Sequence, residues 1–247
     1  MAAELLVLQH IDREGPEWIA EWAAERNHPL RLIRPDRGDA LPNPELHGPA
    51  LAVVLGGPMG VNDRHQPGRE WLEAERQWLE HWLRKQRPVL GICLGAQLIC
   101  AAAGGTVEPL ATGMPAQAIH EVGFGAIGWR LHGERVPWLA STPQQQMVLH
   151  WHGDRCCLPE QALVLASSLH CIEQAFQLGN NAVGLQFHLE LSEAALERWI
   201  AEDLGFITAA GSSPGRLKED AREWGQDYRQ QGQRLLTNLL NHLWDQT

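Results

Sequence analysis

Pro88-Val-Leu-Gly-Ile-Cys-Leu-Gly-Ala-Gln-Leu-Ile-Cys-Ala-Ala-Ala103 joins two kinds of sequence at a single cysteine. Val89–Ile92 is short and apolar, as a buried strand is. From Leu94 to Ala103 the residues are small and apolar at helical spacing, and Gly104-Gly105 ends the run. Cys93 stands at the junction, with Gly91 two residues before it and Gly95 two after. A strand that turns abruptly into a helix strains the turn residue, and flanking glycines remove the clashes that would forbid the turn. Such an elbow exposes the turn side chain at the carboxyl edge of a sheet and aims a helix N-terminus at it, which favours a thiolate. Cys93 therefore reads as a nucleophile rather than as a packing residue.

The sequence before the elbow alternates strand and helix. Glu4–Gln9 reads as a strand, Pro16–Arg26 as a helix with Trp18, Ile19, Trp22 and Ala23 on one face, and Leu30–Ile33 as a second strand. Residues 34–49 hold four prolines and read as a loop. Leu51–Leu55 is continuously apolar, as in a strand covered on both faces, and runs into Gly56-Gly-Pro-Met-Gly60. Glu70–Lys85 is amphipathic, with Trp71, Leu72, Trp78, Leu79, Trp82 and Leu83 as its apolar stripe. This alternation predicts a parallel sheet with right-handed crossovers.

After Thr106 the runs shorten. Gly128–Leu131 and Gln146–Trp151 read as added antiparallel strands, and Ala162–Ala166 and Ala182–Phe187 as two more. Ser192 is placed to cap a helix reaching Ala201 or beyond. A break at 211–215 precedes a helical tail whose stripe is Leu235, Leu236, Leu239, Leu240, Leu243 and Trp244; it either packs on the domain or forms a dimer contact.

Composition narrows the class. With 247 residues, 44% of them hydrophobic and 20% charged, the chain can bury a sizeable core. A net charge of −10 and no basic run argue against nucleic acid as a partner. No apolar stretch approaches the ~18 residues that cross a bilayer. The N-terminus lacks the basic start of a signal peptide. Five cysteines, without C-x-x-C spacing, fit a reducing compartment, and the expected location is the cytoplasm.

A nucleophilic cysteine needs a base and a group to orient that base. Of 12 histidines, His188 ends an apolar strand, where ligand chemistry gathers in open α/β sheets, and Glu190 lies two residues on. Oxyanion donors are also required. The Leu94 N–H at the helix start is one, and Gly57, in a Gly-Gly-Pro turn that bares its backbone, is another. His150, His152 and Asp154 have the spacing of partial metal ligands, but no fourth ligand is visible and no metal is expected.

These residues resemble the class I (triad) glutamine amidotransferases. Gly56-Gly-Pro58, Gly91-Ile-Cys-Leu-Gly-Ala-Gln97 and Gly184-Leu-Gln-Phe-His-Leu-Glu190 carry the resemblance, in order, over about residues 4–200. It implies a flavodoxin-like α/β fold with a mostly parallel central sheet flanked by helices, additional short antiparallel strands and a helical C-terminal appendage. The expected division is a catalytic domain at 1–205 and an extension at 206–247 packed on it. By resemblance, Cys93 attacks the glutamine carboxamide, His188 is the base, Glu190 orients it, and Gly57 and Leu94 form the oxyanion hole. Gln97, Met59, Trp151, Gly153 and Asp154 would line the substrate pocket. No cofactor is implied. His152-Gly-Asp154 and Leu165-Ala-Ser-Ser168 look most like the free-standing, GMP-synthase-like members.

Two positions depart from the family pattern. Leu189 stands where Pro is usual, which should loosen the turn, and Trp151 stands where a small polar residue is common. Trp151 keeps open a choice between glutamine and a γ-glutamyl peptide as substrate. No P-loop is visible, so a glutaminase would either feed a separate synthase chain or act alone. A non-catalytic binding module retaining the fold is the alternative from another class.

Overall fold

The computed structural model describes residues 3–130 and 135–247. Met1, Ala2 and the last residue of the expected Gly128–Leu131 strand lie outside the described residues. In chain order the elements are β1 (Glu4–Leu8), α1 (Glu17–Glu25), β2 (Leu30–Ile33), β3 (Ala50–Val54), α2 (Glu70–Arg84), β4 (Val89–Ile92) and α3 (Leu94–Ala102). There follow β5 (Thr106–Pro109), β6 (Ala111–Thr112), β7 (Gln117–Ala118), β8 (Glu121–Trp129), β9 (Gln145–His152), β10 (Asp154–Cys157), β11 (Ala162–Ser167), β12 (Ala175–Leu178) and β13 (Ala182–Leu185). Helices α4 (Glu193–Glu202), α5 (Leu204–Ala209) and α6 (Pro214–Trp244) complete the chain.

One nine-stranded sheet runs β2-β1-β3-β4-β13-β12-β11-β8-β9. The first five strands are parallel neighbours, as the alternation requires, and the other four join antiparallel. β5 pairs with β10 and β6 with β7 in two small separate sheets. The antiparallel wing holds the longest strand, β8, so the run beginning at Gly128 is only its end. The central strands β3 and β4 are buried along their whole length, which matches continuous apolar runs covered by helices on both faces.

Helix α2 buries Leu72, Trp78, Leu79 and Trp82 as the stripe predicts, but Trp71 and Leu83 stay partly exposed. Their place on the buried face goes to Glu75, which is fully buried and whose two carboxylate oxygens each lie 3.1 Å from His10 Nε2. Trp71 instead stacks on the His10 ring. Ser192 caps α4 by accepting the Ala195 N–H at 3.1 Å. The α6 stripe at Leu235, Leu236, Leu239, Leu240 and Leu243 is buried within the chain against the rest of the core, with Trp244 half-buried.

Because β4 and β13 are parallel neighbours with Ile92 opposite Leu185, the residues just past their carboxyl ends emerge side by side. Those residues are Cys93 and the segment leading to His188.

Candidate active site

At the elbow, Cys93 has φ 53° and ψ −107°, an arrangement few L-residues adopt, and it is 6% exposed. Its N–H donates to Leu185 O at 2.8 Å, locking it to the neighbouring strand. The glycines are needed for space. A Cβ on Gly95 would lie 2.0 Å from Val54 O, and one on Gly91 would lie 2.5 Å from Gly95 C. The helix can therefore start directly under the strand end, with Leu94 as its first residue. Cys93 Sγ lies 3.8 Å from Trp151 O and 3.7 Å from Gln186 Nε2.

His188 is fixed by its backbone N–H, which donates to Leu149 O at 2.8 Å, and by its ring, which meets Trp199 edge-to-face with centroids 4.8 Å apart. Nδ1 lies 2.6 Å from Glu190 Oε1. Nε2 is buried and has no hydrogen-bond partner among the described residues. Burial works against a charged ring, but the Glu190 charge and the adjacent Cys93 side chain outweigh it and hold the His188 pKa well above its ordinary value. Glu190 is itself pinned, since its backbone oxygen accepts the Trp18 N–H at 3.1 Å.

The turn between these two residues is not loose. Leu189 donates its N–H to Glu190 Oε2 at 2.9 Å, a bond a proline could not make. Its side chain is fully buried, and a Cβ on Gly232 of α6 would lie 3.3 Å from its Cδ2. The fixed φ of a proline is replaced by a hydrogen bond and an anchor on the C-terminal helix.

A cavity of about 320 Å³ opens over Cys93 and His188, at the lower end of the small-molecule range. Gly57, Met59, Gln97, Trp151, Gly153 and Asp154 are among the residues that line it. Leu94 and Glu190 are not part of that lining. Gln97 Nε2 donates to Gln186 Oε1 at 3.3 Å, so Gln186 links Gln97 to the Cys93 sulfur. Gln186 stands inside the Gly184–Glu190 motif, and that position is the signal for it. The Gly57 N–H makes no hydrogen bond among the described residues. Burial pushes the Asp154 carboxyl above the usual range, with His152 and His120 pulling the other way.

The far wall carries no mark in the sequence. Arg13 and Glu14 come from the loop after β1, Trp199 from α4, Asp203 from the α4–α5 junction and Phe206 from α5. Trp151 Nε1 and Arg13 Nη2 both donate to Asp203 Oδ2, at 2.9 and 2.8 Å. Helix α5 spans Leu204–Ala209, so residue 205 lies within it.

His150 and His152 share one face of β9, but Glu121 of β8 joins them rather than Asp154, and the three ligand-type groups lie within 4.8 Å of one another. His152 Nδ1 contacts Asp154 O at 3.0 Å, while Gln174 Nε2 donates to Glu121 Oε2 at 2.6 Å and lies 3.2 Å from His152 Nε2. The amide thus bridges the acid and the ring. Burial lowers the His150 pKa to about 4 despite the Glu121 charge, so that ring is neutral.

Fold and site define an α/β protein whose cavity sits at the carboxyl ends of a parallel sheet, over a cysteine at a strand–helix elbow. The family description "Glutamine amidotransferase class-I" matches residues 12–204, and the chain belongs to that family. It is 32% identical over 217 residues to the glutamine amidotransferase-like protein YfeJ of Salmonella typhimurium, covering 87% of each chain. It is also 32% identical over 121 residues to the glutamine-hydrolyzing GMP synthase of Streptococcus thermophilus, covering 48% of this chain and 22% of that one. Among solved structures, a glutamine amidotransferase from Thermotoga maritima superposes with a TM-score of 0.83 at 27% identity, covering 98% of both chains. No described helix is long and apolar enough to cross a membrane.

Proposed function

We propose that the protein hydrolyses the side-chain amide of glutamine through a thioester on Cys93. The observation that carries this reading is the strained Cys93 elbow beside a histidine whose Nδ1 lies 2.6 Å from Glu190. The raised His188 pKa favours the imidazolium, which pairs with a thiolate at Cys93. The thiolate attacks the carboxamide carbon, and the Gly57 and Leu94 N–H groups receive the developing oxyanion. His188 Nε2 gives its proton to the departing nitrogen, then takes one from the water that opens the thioester to glutamate. Gln97, Met59 and Gly153 hold the amino-acid end of the substrate, and the Asp154 carboxylate takes its α-ammonium.

The similarity to glutamine-hydrolyzing GMP synthases supports delivery of the ammonia to a separate synthase chain. One feature favours a second reading. The cavity continues past Cys93 to Arg13, Asp203 and Phe206, which leaves room for the leaving residue of a γ-glutamyl peptide.

Mass spectrometry after treatment with 6-diazo-5-oxo-norleucine tests the assignment. The expected result is one adduct, on Cys93, blocked by excess glutamine and absent in His188→Ala. Selectivity is favoured because burial pushes the Cys171 thiol up to about 12 and raises Cys157 as well. An adduct that glutamine does not block but a γ-glutamyl dipeptide does selects the peptidase reading. No adduct on Cys93 rejects both and leaves a binding module.

A further inference from the structure

The loop after β1 places a carboxylate at the cavity over Cys93 with no hydrogen-bond donor of its own among the described residues. Glu14 is 6% exposed and lines the same cavity as Cys93 and His188. Its carboxylate makes no hydrogen bond among the described residues. The nearest cation is Arg13, whose Nε lies 3.6 Å away, beyond hydrogen-bond reach, and whose Nη2 is committed to Asp203 at 2.8 Å. The loop is not free to turn the carboxylate elsewhere, because Trp199 Nε1 donates to Arg13 O at 3.0 Å and the Glu14 N–H to Ile11 O at 3.3 Å.

The position is specific. A Cβ built on Gly56 would lie 2.5 Å from Glu14 Oε2, 3.1 Å from His188 Cε1 and 3.6 Å from Cys93 Cβ. Carboxylate, imidazole and thiol-bearing carbon therefore crowd one glycine that has no side chain to keep them apart. Cε1 lies between Nδ1, which Glu190 holds, and Nε2, the atom that hands a proton to the departing nitrogen, so Glu14 stands beside the edge of the catalytic ring that joins the two. Burial also raises the Glu14 pKa, with His188 and Arg13 opposing, as a carboxylate short of donors requires.

We propose that Glu14 forms the subsite for the amine released from Cys93, binding ammonium or a small primary amine. This rests on the acyl-transfer reading above. When the C–N bond breaks, its electron pair stays with the nitrogen, which takes one proton from His188 Nε2. The ammonia or amine so formed donates N–H bonds to the Glu14 carboxylate, and once solvent has given it a further proton it is held as an ammonium ion until it exits. The substrate's own α-ammonium has the same chemistry, and the test separates the two sources.

The full chain and its Glu14→Gln variant are assayed for glutamine hydrolysis with ammonium chloride as inhibitor against a sodium chloride control. Hydroxylamine is titrated as a competing acceptor, read as γ-glutamyl hydroxamate against glutamate. The wild type is expected to show saturable hydroxamate formation and inhibition by ammonium. Glu14→Gln weakens both by about tenfold, the loss of one charge-assisted contact, while the KM for glutamine stays within about threefold. Should Glu14→Gln fail to fold, Glu14→Asp is expected to keep ammonium inhibition, and its complete loss there overturns the proposal. A tenfold rise in KM with hydroxamate saturation intact assigns Glu14 to the substrate's α-ammonium and overturns the proposal, as does a variant identical to wild type. A wild type inert towards glutamine and γ-glutamyl dipeptides overturns the acyl-transfer reading itself.

Discussion

Trp151 donates its indole N–H to Asp203 Oδ2 at 2.9 Å, across the cavity from the cysteine whose sulfur lies 3.8 Å from the Trp151 carbonyl. The same Asp203 oxygen receives Arg13 Nη2 at 2.8 Å. One carboxylate from the C-terminal helices therefore ties a central-sheet extension to the loop after β1. The ring is held edge-on to Trp199, so it forms a wall rather than a plug.

Asp203→Ala removes both bonds and leaves the Arg13 guanidinium with only the Glu14 carboxylate, 3.6 Å from its Nε. The expected cost is about 1–3 kcal/mol, from one orphaned indole donor and one lost charge-assisted hydrogen bond. Denaturant unfolding should show it as a lowered midpoint. In steady-state kinetics the KM should rise several-fold with a smaller change in kcat, because the wall positions substrate without touching the reacting atoms. An unchanged KM would detach Asp203 from the pocket.

Leu189→Pro puts the residue usual in the family into this chain, and is expected to harm it. The 2.9 Å bond from Leu189 N–H to Glu190 Oε2 is lost, and the buried leucine contact at Gly232 is cut back. Loss of that packing and that hydrogen bond costs about 2 kcal/mol or more. Thermal unfolding and kcat measured together on this variant check the point, and both should fall.

His150 predicts an acid limb in stability. Its pKa is about 4 in the fold because burial outweighs the Glu121 charge, against an ordinary 6.5. Between those values the unfolded chain binds a proton that the native chain refuses, so stability falls as the pH drops below 6.5. The loss reaches roughly 3 kcal/mol by pH 4. Glu121, where burial is outweighed by the contacts to His152 and His150, sits at about 2 and acts in a lower window, between its ordinary 4.5 and 2. Urea unfolding at pH 7, 5.5 and 4.5 should therefore show a slope that His150→Gln flattens.

What the sequence disclosed and what it withheld divide along chain separation. The elbow was legible because Gly91, Cys93, Gly95 and Gln97 lie within one strand–helix unit, and the glycine spacing itself announces the crowding, down to the 2.0 Å approach of a Gly95 Cβ to Val54 O. His188 and Glu190 were legible for the same reason, as neighbours past one strand. Glu14, Arg13 and Asp203 were not, because nothing in their own segments marks them; Arg13 and Asp203 meet across 190 positions. The apolar stripe of α2 likewise gave the helix but not Glu75, whose burial makes sense only once His10 arrives from a different loop. Short β5, β10 and β12 carry too few residues to show a period, and pairing partners alone define them.

Glu190→Gln isolates the orienting role of the acid. The side chain keeps its shape, but an amide cannot stabilise an imidazolium at Nδ1, which now lies 2.6 Å from Oε1. With the Glu190 charge gone, burial is left as the largest influence on His188, and its pKa falls from well above the ordinary value towards or below it. The ring then spends more time neutral, and Cys93 loses the cation beside it. Two readouts follow. The kcat for glutamine should drop by about 10²–10⁴-fold, the range expected when the acid of such a triad is neutralised, with KM little changed. Iodoacetamide should alkylate Cys93 more slowly at pH 7 than in the unaltered chain, while Cys171, pushed up to about 12, stays unreactive. A variant with wild-type alkylation rates and a pH profile unmoved would place the charge balance of the site in some group other than Glu190.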